Sequence, residues 1–235
     1  MEFFDRNKVK KAIKNSILRV YEAQIADLDL YRNTLDCFSA SIDSLVQGIS
    51  LDEWMLQEKE RQVQKTKQNA IGTLHEEILG AIDGVSKLSV GHLIDLESRR
   101  HNLVAEVKNK HNTTKGNHKV AVYHDLAKAI ESRPGYTGYY VEILPSSSSP
   151  YNKPFTPSDN KTKRRLPSRN DIRVIDGKSF YKILTGSDKA LLELYEELPS
   201  IVSEILREEK SVSRDPRIIT ESSSFIQNFV KAYGR

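Results

Sequence analysis

Asp95-Leu-Glu-Ser-Arg-Arg-His-Asn-Leu-Val-Ala-Glu106-Val-Lys108 is the stretch on which the fold turns. Around it the spacing of apolar residues changes. Residues 5 to about 80 repeat at three-to-four spacing, as in Val9, Ala12, Ile13, Ile17, Leu18 and Val20, and later Leu28 and Leu30, which predicts helices. From about Ser89 the pattern shortens. His92 to Leu96 and Asn102 to Asn109 read as two strands joined by a hairpin over Glu97 to His101. Alternate residues of a strand share a face. Val104, Glu106 and Lys108 therefore point one way, and the wholly apolar Leu103, Ala105 and Val107 point the other. If the strands pair, Asp95 comes opposite the Glu106 region. Two carboxylates and a lysine are the minimum set for metal-assisted cleavage of a phosphodiester. Asp95, Glu106 and the Val107 carbonyl are oxygen donors for a hard divalent cation, with Mg2+ the best fit. Lys108 is placed to stabilise charge on a phosphate.

An ordinary amphipathic hairpin edge also shows acid-x-lysine, so the neighbouring sequence bears on the choice. Glu106 runs on through Val107-Lys-Asn-Lys110-His-Asn112-Thr113-Thr114-Lys115, basic and amide side chains directly after the strand. Residues 99 to 119 contain one acid, Glu106, and residues 161 to 173 carry six basic residues against one acid. Over the whole chain the 36 Lys and Arg exceed the 32 Asp and Glu only slightly, for a net charge of +4. The local runs, more than that total, suit a polyanion such as DNA. A solvated surface face is the other way to read them.

Further elements follow the same logic. Thr34 to Val46 reads as a helix stopped at Gly48. Ser50-Leu-Asp-Glu53 is a capping box opening another. Ile71, Leu74, Ile78 and Ile82 form a stripe ending at Gly84. Lys119 to Ser132 is helical, Tyr139 to Leu144 a strand, and Ile172 to Ile175 another. Asp176-Gly177 turns into a helix over Lys178 to Leu184, with Asp176 as its cap and Gly177 permitting the turn. Helices over Asp188 to Arg207 and Ser222 to Tyr233 complete the chain. Pro145 to Arg169 is Ser- and Pro-rich, then basic, and reads as a long binding loop without regular structure. Phe180, Tyr181, Trp54 and the tyrosines of 136 to 140 are assigned to packing. The expected fold is α/β (α+β), a small mixed sheet flanked by helices. Residues 1–84 form a helical region packed on a core of residues 85–235, whose 145–170 loop binds DNA.

The 235 residues contain one cysteine, Cys37. An internal disulfide is excluded, and a cysteine-based zinc site has too few ligands. No apolar run reaches the length of a membrane span, and the N-terminus lacks the order of a secretory signal. The expected compartment is the cytoplasm.

Three segments in combination carry a resemblance to a family. They are Glu106-Val-Lys-Asn-Lys-His-Asn-Thr113, Tyr139 to Leu144, and Ile175-Asp-Gly-Lys-Ser-Phe-Tyr-Lys-Ile-Leu-Thr-Gly186. They resemble type II restriction endonucleases of the PD-(D/E)xK superfamily, in particular the AvaII-like group that cuts GGNCC or GGWCC. The resemblance implies a restriction-endonuclease-like core and Mg2+-dependent hydrolysis of double-stranded DNA that leaves 5'-phosphates, without a nucleotide cofactor or a membrane. It assigns Asp95 and Glu106 as metal-binding acids and Lys108 as the catalytic lysine. The Pro that usually precedes the first acid is Ile94 here. Glu97 competes with Asp95, and Glu76 or Glu77 could supply a helix-borne acid, although exposed helix charge is the simpler assignment for those two. Guanine-reading donors come from Lys110, Asn112, Thr113, Thr114 and Lys115, or from Lys163, Arg164, Arg165 and Arg169, with bases and phosphates shared among them. A palindrome is matched by a two-fold homodimer with one active site per strand of DNA.

Overall fold

The computed structural model describes residues 2–26, 30, 35–89 and 93–234. It divides into two compact units, residues 1–14 with 73–235, and residues 15–72. The helices of the N-terminal half are α1 (Arg6–Ile25), α2 (Cys37–Gln47), α3 (Leu51–Gly72) and α4 (Leu74–Gly80). The proposed start of the second helix at Thr34 lies outside the described residues. Asp36 caps α2 by accepting from the backbone N–H groups of Phe38 and Ser39, and Gly48 ends it in the left-handed region at φ 69°, where glycine has no Cβ to strain. The capping box at Ser50 is formed. Ser50 N donates to Glu53 Oε2 at 2.9 Å and Glu53 N donates to Ser50 Oγ at 3.2 Å. α4 ends at Gly80 instead of Gly84, and Ile82 falls in the turn that follows it. The apolar stripe read through Ile82 passed over Gly80, the residue at which the helix stops.

The larger unit is built on a mixed sheet. Its strands are β1 (Ser86–Lys87), β2 (Leu96–Ser98), β3 (Leu103–Lys110), β4 (Thr137–Leu144), β5 (Asn152–Pro154) and β8 (Ile172–Asp176), and their order is β1-β2-β3-β4-β8-β5. β3, β4 and β8 run parallel at the centre, while β1, β2 and β5 are antiparallel to their neighbours. A separate hairpin pairs β6 (Ser158–Asp159) with β7 (Arg164–Arg165). The hairpin expected over Glu97 to His101 is displaced. β2 extends through Glu97 and Ser98, and the turn covers Arg99 to Asn102 with Asn102 at φ 48°. The expected strand start at His92 lies outside the described residues.

Helices cover both faces, as the sequence led us to expect. α5 (Gly116–Glu131), which crosses from β3 to β4, lays Val122, Tyr123, Leu126 and Ile130 on Val104, Tyr140, Ile172 and Val174. The helix begins three residues before Lys119, because Gly116 to His118 complete its first turn despite their polarity. On the other face, α6 (Gly177–Thr185) sets Phe180 against Tyr139 with ring centroids 5.7 Å apart. Phe180 and Tyr181 are fully buried, and Trp54 nearly so. α7 (Ala190–Lys210), α8 (Arg217–Thr220) and α9 (Ser224–Tyr233) close the chain.

The 145–170 segment is not structureless. Asn152 to Pro154 pair with Ile175 to Arg173 as an edge strand, a place where Pro is tolerated because its missing N–H can face outward. Phe155 then stacks on Tyr140 at 4.7 Å. These strands are two or three residues long and polar, so no alternation announces them.

Candidate active site

The β2–β3 register pairs Leu96 with Ala105, and Asp95, just ahead of β2, has its carboxylate against that of Glu106. Asp95 is pinned on three sides. Its N–H donates to Ala105 O at 3.0 Å, its C=O accepts from Leu88 N at 2.8 Å, and its Oδ2 accepts from Val107 N at 2.7 Å. A strand residue's N–H and C=O point to the same side. The Val107 carbonyl therefore shares the edge to which Asp95 is tied. Glu106 pairs with Tyr140 of β4, and Lys108 with Glu142. Lys108 Nζ lies 2.6 Å from Glu106 Oε1.

The electrostatics follow from that crowding. Burial, and then the negative charge of Asp95, push the Glu106 carboxyl above its usual range. Burial alone would lower the Lys108 ammonium, but its hydrogen bond to Glu106 and the charges of Glu106, Asp95 and Glu76 outweigh burial and hold it above the usual lysine range. Glu76 on α4 is drawn in as well. Its carboxyl is pushed up to about 7 by burial and then by Asp95, against the opposing pull of Lys87 and Lys108. Glu76 is thus not the exposed helix charge expected from its position. Its neighbour Glu77 lines a different groove, with Lys8, Lys11 and Lys87. Glu97 faces Val104 and is held by Arg133 at 3.2 Å.

Among the described residues no three His, Cys, Asp or Glu side chains converge in metal-holding geometry. The donors that do meet are the carboxylates of Asp95 and Glu106, with the Val107 carbonyl on the same edge. All are oxygens, and the mutual repulsion of the two acids favours a cation between them. That set fits a hard divalent ion that keeps several of its waters.

The anticipated DNA-contacting residues fall in two neighbouring places. Lys110, the last residue of β3, and Asn112, Thr113 and Lys115 beyond it are exposed, whereas Thr114 is buried beside the Tyr140 hydroxyl. Lys163, Arg164 and Arg165 are exposed on the β6–β7 hairpin. That hairpin packs on α5, with the Asn160 amide near Gly116, so the two basic segments adjoin. Arg169 is partly covered and makes two contacts with Asp171, at 2.9 and 2.7 Å. Sequence reasoning missed a further group. Glu142 is buried, bonded to Lys119 at 3.0 Å and to the Tyr151 hydroxyl at 2.6 Å. An acid inside the otherwise apolar run Tyr139 to Leu144 was the signal that could have found it.

A mixed sheet between two helical layers, with three parallel strands at its centre, is the architecture of the restriction-endonuclease-like nucleases. The chain belongs to the Eco47II restriction endonuclease family, whose model matches residues 1–207. Among known proteins it is similar to the type II restriction enzyme Eco47II of Escherichia coli, 37% identical over 207 residues that cover 86% of this chain and 85% of that enzyme. It is also similar to the type II restriction enzyme Sau96I of Staphylococcus aureus, 32% identical over 185 residues covering 76% and 71%. The family makes the chain a DNA-cleaving hydrolase of a restriction system. Among the described residues no helix is long and apolar enough to cross a membrane.

Proposed function

We propose that the chain cuts a short G·C-rich palindrome, GGNCC or GGWCC, at a Mg2+-dependent site formed by Asp95, Glu106 and Lys108. One observation carries the reading. Asp95 Oδ2 is tied to the N–H of Val107, the residue between Glu106 and Lys108, so groups from just before β2 and from within β3 form one cluster. Asp95 and Glu106, with the Val107 carbonyl, are the groups that would hold the cation. Bound there, Mg2+ supplies Lewis-acid polarisation of the scissile phosphate and makes the attacking water more acidic. The chain's own groups do the rest. The Val107 N–H fixes one Asp95 oxygen and leaves the other to a ligand. Lys108, kept protonated by its carboxylate neighbours, stabilises the charge that builds on the phosphate. Lys110, Asn112, Thr113, Lys115 and the hairpin residues Lys163, Arg164 and Arg165 supply the phosphate and base contacts. A palindromic target calls for two copies related by a two-fold axis, acting on DNA in the cytoplasm.

Digestion of a plasmid with Mg2+, followed by sequencing of the fragment ends, tests the site. The expected result is discrete fragments with 5'-phosphates whose ends all map to GGNCC or GGWCC. Ends sharing a different sequence, or none, refute the assignment.

A further inference from the structure

Helix α2 is turned the wrong way round for a globular helix. Its buried residues are the small Ala40 and Ser44, and Ser44 Oγ is buried without a hydrogen-bond partner. Its large apolar residues, Phe38, Ile42, Leu45 and Val46, are 65–84% exposed. Their spacing of four, three and one forms a single stripe along the helix. Leu51 and Leu56, at the start of α3 in the same helical hairpin, are also more than half exposed. Scattered apolar residues on a surface need no explanation, but a helix that directs its whole apolar stripe at solvent does.

We propose that this stripe is where a second copy of the chain docks, α2 against α2 about a two-fold axis. Area and charge favour that occupant. The four side chains of α2 offer roughly 500 Å² per copy, so a symmetric pair reaches the roughly 1,000 Å² that marks a specific interface. The helix bears one charge, Asp43, and that carboxylate is taken up by Trp54 Nε1 at 2.9 Å. An uncharged stripe can meet its own image without like-charge repulsion, which an isologous contact requires. It offers no charge to a polyanion or to an oppositely charged partner. The inference rests on the two-fold reading of the palindromic site and assigns that dimer its surface.

Sedimentation equilibrium on the full chain, with and without a palindromic duplex, tests it. Three proteins are compared: wild type, Leu45→Glu/Val46→Glu, and Ile218→Glu, which places the same charge on an exposed apolar residue of α8. Because all three residues are already exposed, unchanged circular dichroism is expected throughout. Wild type and Ile218→Glu should sediment as two chains. The double variant should sediment as one, with a dissociation constant raised at least about 100-fold, because burying two carboxylates in an apolar contact is so costly. In plasmid digestion the double variant should accumulate nicked circles. A double variant that stays dimeric overturns this surface while leaving the dimer intact. A wild type that sediments as one chain under both conditions overturns the two-fold reading itself. Release of the dimer by Ile218→Glu alone would move the interface to α8.

Discussion

Glu106 is poised between two neighbours of opposite effect. Burial and Asp95 favour its protonated form, and Lys108 favours the ionised one. The acid-x-lysine spacing made the Glu106–Lys108 contact legible, because alternate strand residues share a face. It could not distinguish Asp95 from Glu97, which share a face of their own strand. Contact separates them: Asp95 bonds Val107 N and sits against the Glu106 carboxyl, whereas Glu97 lies opposite Val104 and is occupied by Arg133. Between Glu76 and Glu77 the sequence offered no choice and favoured exposed charge for both, since the place of each depends on how α4 packs. Next to Glu76, His75 gives a pH prediction. Its ring is bonded to the Tyr181 hydroxyl at 2.9 Å, and burial lowers its pKa to about 4. Between about 4 and the ordinary 6.5 the unfolded chain binds a proton that the folded chain refuses. The neutral form's contribution is therefore complete above 6.5 and is lost as pH falls towards 4. The loss is on the order of 3 kcal/mol. Urea titrations in chelator from pH 4 to 7 should show wild type losing stability on acidification and His75→Gln losing measurably less. Parallel curves would show that His75 does not stay neutral in the fold.

Elements with a start signal were read well, and elements without one were missed. The Ser50 box and the Asp176 cap are both formed, Asp176 Oδ1 accepting from Ser179 N at 2.9 Å. β5, β6 and β7 have no such signal, being two or three residues long and polar. Asp176 also explains how the segment after β4 is anchored, because its Oδ2 accepts from Tyr151 N at 2.7 Å. The reason for Gly177 differs from the one expected. Its φ is not in the left-handed region. What demands glycine is contact, since a Cβ there would lie 2.5 Å from Ile143 O and 2.8 Å from Ile143 Cα. The neighbour is backbone of a central strand and cannot yield cheaply. Gly177→Ala should cost roughly 1–3 kcal/mol and lower Tm by several degrees, as read by thermal melting. An unchanged melting temperature would show that β4 and α6 can separate freely at this point.

Over the whole molecule, the mixed sheet between helical layers was legible because the apolar period changes near residue 89 and the strands alternate with helices. The outward stripe of α2 was not, because periodicity shows that a helix has an apolar face but not which way that face turns. Charge is also organised at this scale. The chain is only slightly basic overall, but its basic segments at the end of β3 and on the β6–β7 hairpin adjoin each other. On the proposed reading, DNA affinity and DNA cleavage are carried by different residues and can be separated. The most direct measurement is plasmid cleavage in Mg2+ by wild type and Lys108→Ala, with the affinity of each for a cognate duplex determined in chelator. Lys108→Ala should bind within a few-fold of wild type and cleave at least about 100-fold more slowly. Equal rates of cleavage would contradict the assignment of Lys108, and with it the cluster of Asp95, Glu106 and Lys108, as the catalytic centre.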